Sequence, residues 1–333
     1  MRDVIAWNYK AAATRPDTLD LNIHDTTVVM LPPLASHQAW FRRANLNVNR
    51  SHYLVAGWYW ETEQIPENWV VDSLAYDEIW APSRFVEKAL KSRLDRPVKY
   101  MPPAHPVPQP SPKTFADFGL PEGPFTFYFT FDMCSCMERK NPLSLIRAFR
   151  LAFGDDPGVQ LVIKLMRGSQ YPEDTQRLRE SASHCQQCRL LDYYLPYEDS
   201  VALMNSADCY CSLHRSEGLG LTMAEAMLLG KPVIATGYSG NLDFMNDGNS
   251  FLVPWNLSTV TRDDLPYAAG STWAEPDVQS AADLMRRVRE HPEHAAAIAE
   301  RGRNDARMFF SVESYARRLD KRLEIIQKEH STR

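Results

Sequence analysis

The sequence predicts an α/β protein made of two doubly wound parallel-sheet domains in tandem, and three observations carry that expectation. Short apolar runs alternate with amphipathic segments along most of the chain, the pattern of parallel strands joined by crossover helices. A proline-rich segment, "MPPAHPVPQPSPK" at residues 101–113, divides the alternation in two; proline lacks an amide donor and restricts its predecessor, so such a run reads as an extended connector. At 333 residues with 44% hydrophobic content, the chain is long enough for two separate cores.

In order along the first half, the expected strands are "TTVVMLP", "HYLVAGWYW", "DEIWAPS" and "PVKYMPP", alternating with the helical patterns "ASHQAWFRRAN", "ENWVVDSLAY" and "RFVEKALKSR". After the connector come the strands "FTFYFTF", "VQLVIKL", "CRLLDYY", "ADCYCSL" and "PVIAT". Between them lie "NPLSLIRAFRLAF", "EDTQRLRESA", "EDSVALMNSA" and "TMAEAMLLG" as helices. The last helix, "SVESYARRLDKRLEIIQ", places Val312, Tyr315, Ala316, Leu319, Leu323 and Ile326 on one apolar stripe. We therefore expect one Rossmann-like domain over residues 1–112, a second over 113–310, and a C-terminal helix, 311–333, packing back towards the first. Sheets of this kind gather ligands at the carboxyl ends of their strands, and two of them facing each other place the site in the cleft.

Charge and cysteine usage narrow the partners. With 37 basic against 42 acidic residues, net charge -5, nothing favours nucleic acid as a partner. The sequence has no apolar run near ~20 residues and no basic-then-apolar leader at its start, so a cytoplasmic protein without a membrane span is expected. The six cysteines fall in three close pairs. Only "CQQC" has zinc-ligand spacing, beside His184, and it lacks the second pair that a structural zinc requires. All six are expected to be reduced and structural, with no metal.

The segment "HRSEGLGLTMAEAMLLGKPVIAT", residues 214–236, carries the candidate chemistry. It holds two carboxylates, Glu217 and Glu225, eight residues apart across a glycine-containing turn and within apolar surroundings. A helix starting near Thr222 would leave the amides of residues 218–223 free for an anion, and Gly218 and Gly220 would let a ligand approach the backbone. Plainer uses exist for each residue: a tight strand-to-helix turn for the glycines, a capping box between Thr222 and Glu225, a solvated loop for Glu217, and core packing for His214.

Taken together, "SEGLGLTMAEAMLLGKPVIATGYSGNLDFM", "FDMCSCMERKNPLSLIRAF", "LPYEDSVALMNSADCYCSLHRSEG" and "NDGNSFLVP" resemble the signature of family 4 glycosyltransferases, retaining enzymes with the B-type two-domain fold. The resemblance spans residues 125–254 and is weaker in the first half. It implies that the second domain binds a nucleotide-sugar donor, UDP- or GDP-linked. Glu225 would then meet the ribose hydroxyls, and Glu217 the donor sugar and the positive charge developing at its anomeric carbon. Arg139 and Lys140 would clamp the diphosphate, as a bidentate fork and a point charge. Gly218, Leu219, Gly220 and Leu221 would form the donor turn, with Gly240, Asn241 and Lys164 as further donor contacts. The implied reaction moves a hexose to a carbohydrate or lipid-linked saccharide by front-face attack, with no cofactor, no metal and no dedicated protein base. A glycolipid acceptor would bring peripheral contact with a membrane surface. Trp58, Tyr59 and Trp60 offer aromatic faces either for an acceptor sugar or for the core.

The first half is shorter than such domains usually are and lacks a glycine-rich turn at its start. An acceptor-side histidine would be one of His24, His37 and His52. A missing β-unit would open a sheet edge, which makes a homodimer one expectation. Two other functions fit the same fold: a catalytically silent binding scaffold that has kept the donor pocket, and a nucleotide-sugar epimerase.

Overall fold

A computed structural model describes residues 26–30, 33, 53–261 and 267–330. The chain divides into two compact units, Met1–Pro103 with Val312–Arg333, and Ala104–Ser311. The segment "ASHQAWFRRAN" and the histidines His24, His37 and His52 lie outside the described residues.

In the first unit four parallel strands, β1 (Thr26–Val29), β2 (Tyr53–Gly57), β3 (Glu78–Ala81) and β4 (Val98–Tyr100), lie in the order β1-β2-β3-β4. Helices α1 (Glu67–Ser73) and α2 (Arg84–Lys91) connect β2 to β3 and β3 to β4. Helix α2 starts where the sequence allows a cap: Ser83 is extended, and its Oγ accepts from the Val86 amide at 3.2 Å. The aromatics after β2 are core. Trp58 is fully buried, its ring edge-on to Trp69 at 5.2 Å and to Tyr76 at 5.8 Å, and Trp60 lies 4.8 Å from Trp69. Only Tyr59 of the three is half-buried, against a cavity of about 20 Å³ at the carboxyl end of the sheet.

The C-terminal helix, Val312–His330, closes this unit. Tyr315, Leu319, Leu323 and Ile326 pack on Tyr53, Val55, Trp80 and Met101. The stripe starts at Tyr315, since Val312 is 63% exposed in the first turn. An ion pair fastens the same helix: Arg322 Nε lies 3.0 Å from both oxygens of Glu78, which is fully buried at the start of β3. Trp80 Nε1 and Tyr53 Oη also donate to that carboxylate, so both its oxygens are saturated.

The second unit holds a six-stranded parallel sheet of β5 (Phe125–Asp132), β6 (Val159–Met166), β7 (Cys188–Asp192), β8 (Cys209–Ser212), β9 (Val233–Thr236) and β10 (Phe251–Val253). Its order is β10-β9-β8-β5-β6-β7. The connecting helices are α3 (Met137–Lys140), α4 (Pro142–Phe153), α5 (Pro172–Ser183), α6 (Tyr197–Ser206) and α7 (Leu221–Leu228); α8 (Val278–Glu290) and α9 (Pro292–Phe309) follow β10. The chain runs outward from β5 to β7, then returns to lay β8 on the other side of β5. Loops leaving β5 and β8 therefore diverge, and the crevice between them is where a doubly wound sheet receives its ligand.

Two further features depart from the sequence expectation. Residues Trp255–Thr259 and Thr272–Pro276 form an antiparallel pair, β11 and β12. The solvent-facing "WNLST" of β11 carries no alternation by which a strand could be recognised. The second departure corrects the reduced state expected for all six cysteines, because Cys185 and Cys188 are disulfide-bonded. The turn at the end of α5, in which the Cys188 amide donates to Cys185 O at 3.0 Å, brings their Cα atoms to 5.3 Å, within bridging range. Cys209 and Cys211 are buried in β8. No helix among the described residues is long and apolar enough to cross a membrane.

Candidate active site

The loop after β5 is built under strain. Asp132 accepts from the Cys134 amide at 3.0 Å and starts a short 3₁₀ turn; Cys136 and Asn141, at φ +67° and +55°, then bracket the single turn α3. Left-handed backbone at residues other than glycine costs of order 1–3 kcal/mol each, and it persists where surrounding contacts impose it. The other two such residues among those described, Arg167 and Ser239, follow β6 and β9. All four lie past carboxyl ends of this one sheet.

The loop after β8 is held just as firmly. The Gly240 amide donates to Glu217 O at 2.9 Å, and the Glu217 amide donates to Ser239 Oγ at 2.8 Å. Only glycine fits at 240, because a Cβ there would meet Gly218 O at 2.2 Å. Gly220, at φ +92°, caps α7, which begins at Leu221. Thr222 is thus inside the helix and no capping box forms. The Met223 amide, expected free, donates to Gly220 O at 3.1 Å. Gly218 and Leu219 are buried, while Leu221 is 38% exposed.

These two loops bring Arg139, Lys140 and Glu217 together at the β5/β8 reversal. Glu217 Oε1 lies 3.1 Å from Arg139 Nη1 and 2.5 Å from Lys140 Nζ. Burial alone would raise the pKa of this carboxyl, but Lys140 and Arg139 outweigh it and hold the value at about 2. Arg139 is 3% exposed and also donates to Ser216 O at 2.8 Å and Ser135 O at 3.2 Å, so its guanidinium is fixed in place. Glu217 Oε2 has no partner among the described residues. Arg139 and Lys140 are thus largely removed from solvent, at 4% and 13% side-chain exposure.

Glu225 points from the half-exposed side of α7. Its Oε1 accepts from Tyr197 Oη at 2.8 Å and lies 3.3 Å from His105 Nε2. Asn241 and His214 support the floor. His214 is fully buried, with Nδ1 3.2 Å from Ser212 Oγ and Nε2 3.2 Å from Asn241 Oδ1. Burial lowers the His214 pKa, so the ring stays neutral. Asn241 is itself wholly buried and donates to Thr236 O at 3.0 Å, bracing the loop from beneath. Lys164 lies apart on β6, buried, donating to Leu165 O at 2.7 Å and to Tyr193 O. Burial pulls its pKa down to about 8.

Sequence reasoning missed three residues here. Arg215 joins the two loops: its amide donates to Arg139 O at 2.7 Å, and its Nε donates to Glu275 on β12 at 2.6 Å. With Glu138, Arg177 and Trp273 it lines a pocket of about 240 Å³. Its place inside "HRSEG" was the only available signal. Tyr197 and His105 reach Glu225 from 28 and 120 residues away, and no local pattern marks such a pairing. Among the described residues, no cluster of His, Cys, Asp and Glu could hold a metal ion.

Residues 133–305, just over half the chain, match the family model of glycosyl transferases group 1. Comparison with curated proteins finds no match. Among solved structures the chain is similar to the Anabaena protein Alr3699/HepE in complex with UDP and glucose, at TM-score 0.64 and 18% identity over 86% of this chain and 74% of that one. The sucrose-phosphate synthase of Thermosynechococcus elongatus gives 0.64 and 17%, over 91% and 73%. The pneumococcal O-GlcNAc transferase GtfA in complex with UDP and GlcNAc gives 0.61 and 15%, over 92% and 58%. At such identities the likeness is one of fold, and the fold is the B-type pair of Rossmann-like domains. The family match adds the activity class: this chain belongs to the group 1 glycosyl transferases and is a glycosyltransferase.

Proposed function

We propose that the chain is a retaining, family 4 glycosyltransferase that moves a hexose from a UDP- or GDP-sugar to a carbohydrate or lipid-linked saccharide in the cytoplasm. The observation that carries this reading is the shared contact of Arg139 and Lys140 with one oxygen of Glu217, at the β5/β8 reversal. The UDP complexes of HepE and GtfA support the donor class by fold likeness.

In the reaction, the acceptor hydroxyl oxygen bonds to the anomeric carbon from the face that the diphosphate leaves. The bond between that carbon and the phosphate oxygen breaks, and the departing oxygen takes the acceptor proton. Negative charge grows on the leaving group, and preorganised cations are worth most at that moment. Lys140, the less buried of the two cations at 13% side-chain exposure against 4%, turns from Glu217 to the diphosphate, while Arg139 stays on its carbonyls. Glu217, ionised at any physiological pH, sets its open Oε2 against the sugar hydroxyls and the positive charge at the anomeric carbon. Glu225 accepts from the ribose.

Thermal-shift titration with UDP-, GDP- and their sugars, followed by NMR of the product's anomeric proton, tests this. A shift with one nucleotide and a retained anomer are expected. An inverted anomer would remove the front-face route, and no shift with any nucleotide would remove the donor site.

A further inference from the structure

Glu225 is a long side chain on α7 that is 13% exposed, and its carboxylate is only partly engaged. Tyr197 Oη donates to Oε1 at 2.8 Å, and His105 Nε2 lies 3.3 Å from the same atom, buried and without a well-formed hydrogen bond. Oε2 has no partner among the described residues.

Of the groups that meet Oε1, His105 is held by further contacts, and Tyr197, though 51% exposed, is placed by the start of a helix. Tyr197 is the first residue of α6, set behind Pro196 at φ -52°. His105 belongs to the proline-rich connector, but its amide donates to Phe310 O at 3.0 Å and its ring lies edge-on to the Phe310 ring at 6.3 Å. Burial and the Glu225 charge push the phenol pKa up, so Tyr197 remains a proton donor.

We propose that Tyr197 and His105 are positioning residues for nucleotide recognition: they hold Glu225 Oε1 so that Oε2 is presented, already oriented, to a ribose hydroxyl. The inference rests on the donor reading above. Its physical basis is preorganisation, since a carboxylate fixed before binding has no rotamer freedom left to lose when the ligand arrives. The connector thereby takes part in the donor site through a residue far from the motif.

The test is calorimetric titration of whichever of uridine or guanosine diphosphate binds, alongside its 2′,3′-dideoxy counterpart. Tyr197→Phe keeps the ring and removes only the hydroxyl. It should weaken binding of the ribonucleotide about tenfold, the size of one charge-assisted hydrogen bond, and leave the dideoxy compound unchanged. His105→Ala should act in the same direction, about threefold. Glu225→Gln should abolish the preference for ribose, and Tyr197→Phe should add nothing in that background. Equal losses for both nucleotides in Tyr197→Phe, or an intact preference, would overturn the positioning role while leaving the donor reading in place. An intact preference in Glu225→Gln, or no binding of either diphosphate by the wild type, would overturn that reading and this inference with it.

Discussion

The two sheets put their buried charge at opposite ends, and in different states of completion. In the first, Glu78 sits at the amino end of β3 with both oxygens taken, by Arg322, Trp80 and Tyr53. In the second, Glu217 sits past the carboxyl end of β8 with Oε1 shared by two cations and Oε2 without a partner among the described residues. A saturated buried carboxylate fastens structure, whereas a buried carboxylate with one free oxygen and two cations beside it is prepared for something else to arrive. Strain follows the same division: among the described residues, the four left-handed ones other than glycine all lie beyond strands of the second sheet.

The sharpest way to break this contrast is at the saturated pair. Arg322→Ala leaves Glu78 buried and unpaired, which should lower folding stability by about 3–5 kcal/mol. Urea denaturation of the full chain would show it, and turnover per folded molecule should stay near wild type. A loss below about 1 kcal/mol would mean that apolar packing alone holds the C-terminal helix.

Glu217→Gln should do the reverse in function, cutting turnover by about 10²–10³-fold, as the removal of a preorganised electrostatic group does. It also sharpens the comparison through pH. The folded pKa of Glu217, about 2, is below its ordinary 4.5. The carboxylate's contribution to stability is therefore complete above about pH 4.5 and is lost as pH falls towards 2. Wild type should lose its stability advantage over Glu217→Gln across that acid range, and a constant difference between pH 5 and 3 would contradict the pairing. Smaller still, Glu225→Ala should weaken nucleotide-sugar affinity by about tenfold with the fold intact, measured by calorimetry. Unchanged affinity would refute the ribose role.

How much of this could be read beforehand depends on whether the cause was local. The central strand "FTFYFTF", the helix "NPLSLIRAFRLAF" and the stripe on the C-terminal helix are written in periodicity, and they form where expected. The meeting of Arg139, Lys140 and Glu217 was legible only because several motifs were recognised together; 77 residues separate Lys140 from Glu217. What escaped was set by tertiary contact. Strand β11 faces solvent and has no period to reveal it. The left-handed Cys136 gives no sign in its type that α3 is a single turn, and Asn141 gives only a weak one, asparagine entering this region more readily than most residues. Val312 fits the apolar spacing yet lies in the first turn of its helix and is 63% exposed. Thr222 and Glu225 had the spacing of a capping box, but Gly220 starts the helix earlier and the carboxylate turns to Tyr197 instead.

The central claim of the proposed reading is that the cations beside Glu217 at the β5/β8 reversal receive the donor's diphosphate, while the carboxylate faces the sugar. Calorimetric titration of wild type and Lys140→Ala with UDP and GDP tests it most directly. One nucleotide should bind the wild type, with affinity falling at least about tenfold in the variant, because the cation that leaves Glu217 for the phosphates is gone. Equal affinity in the two proteins would contradict the account.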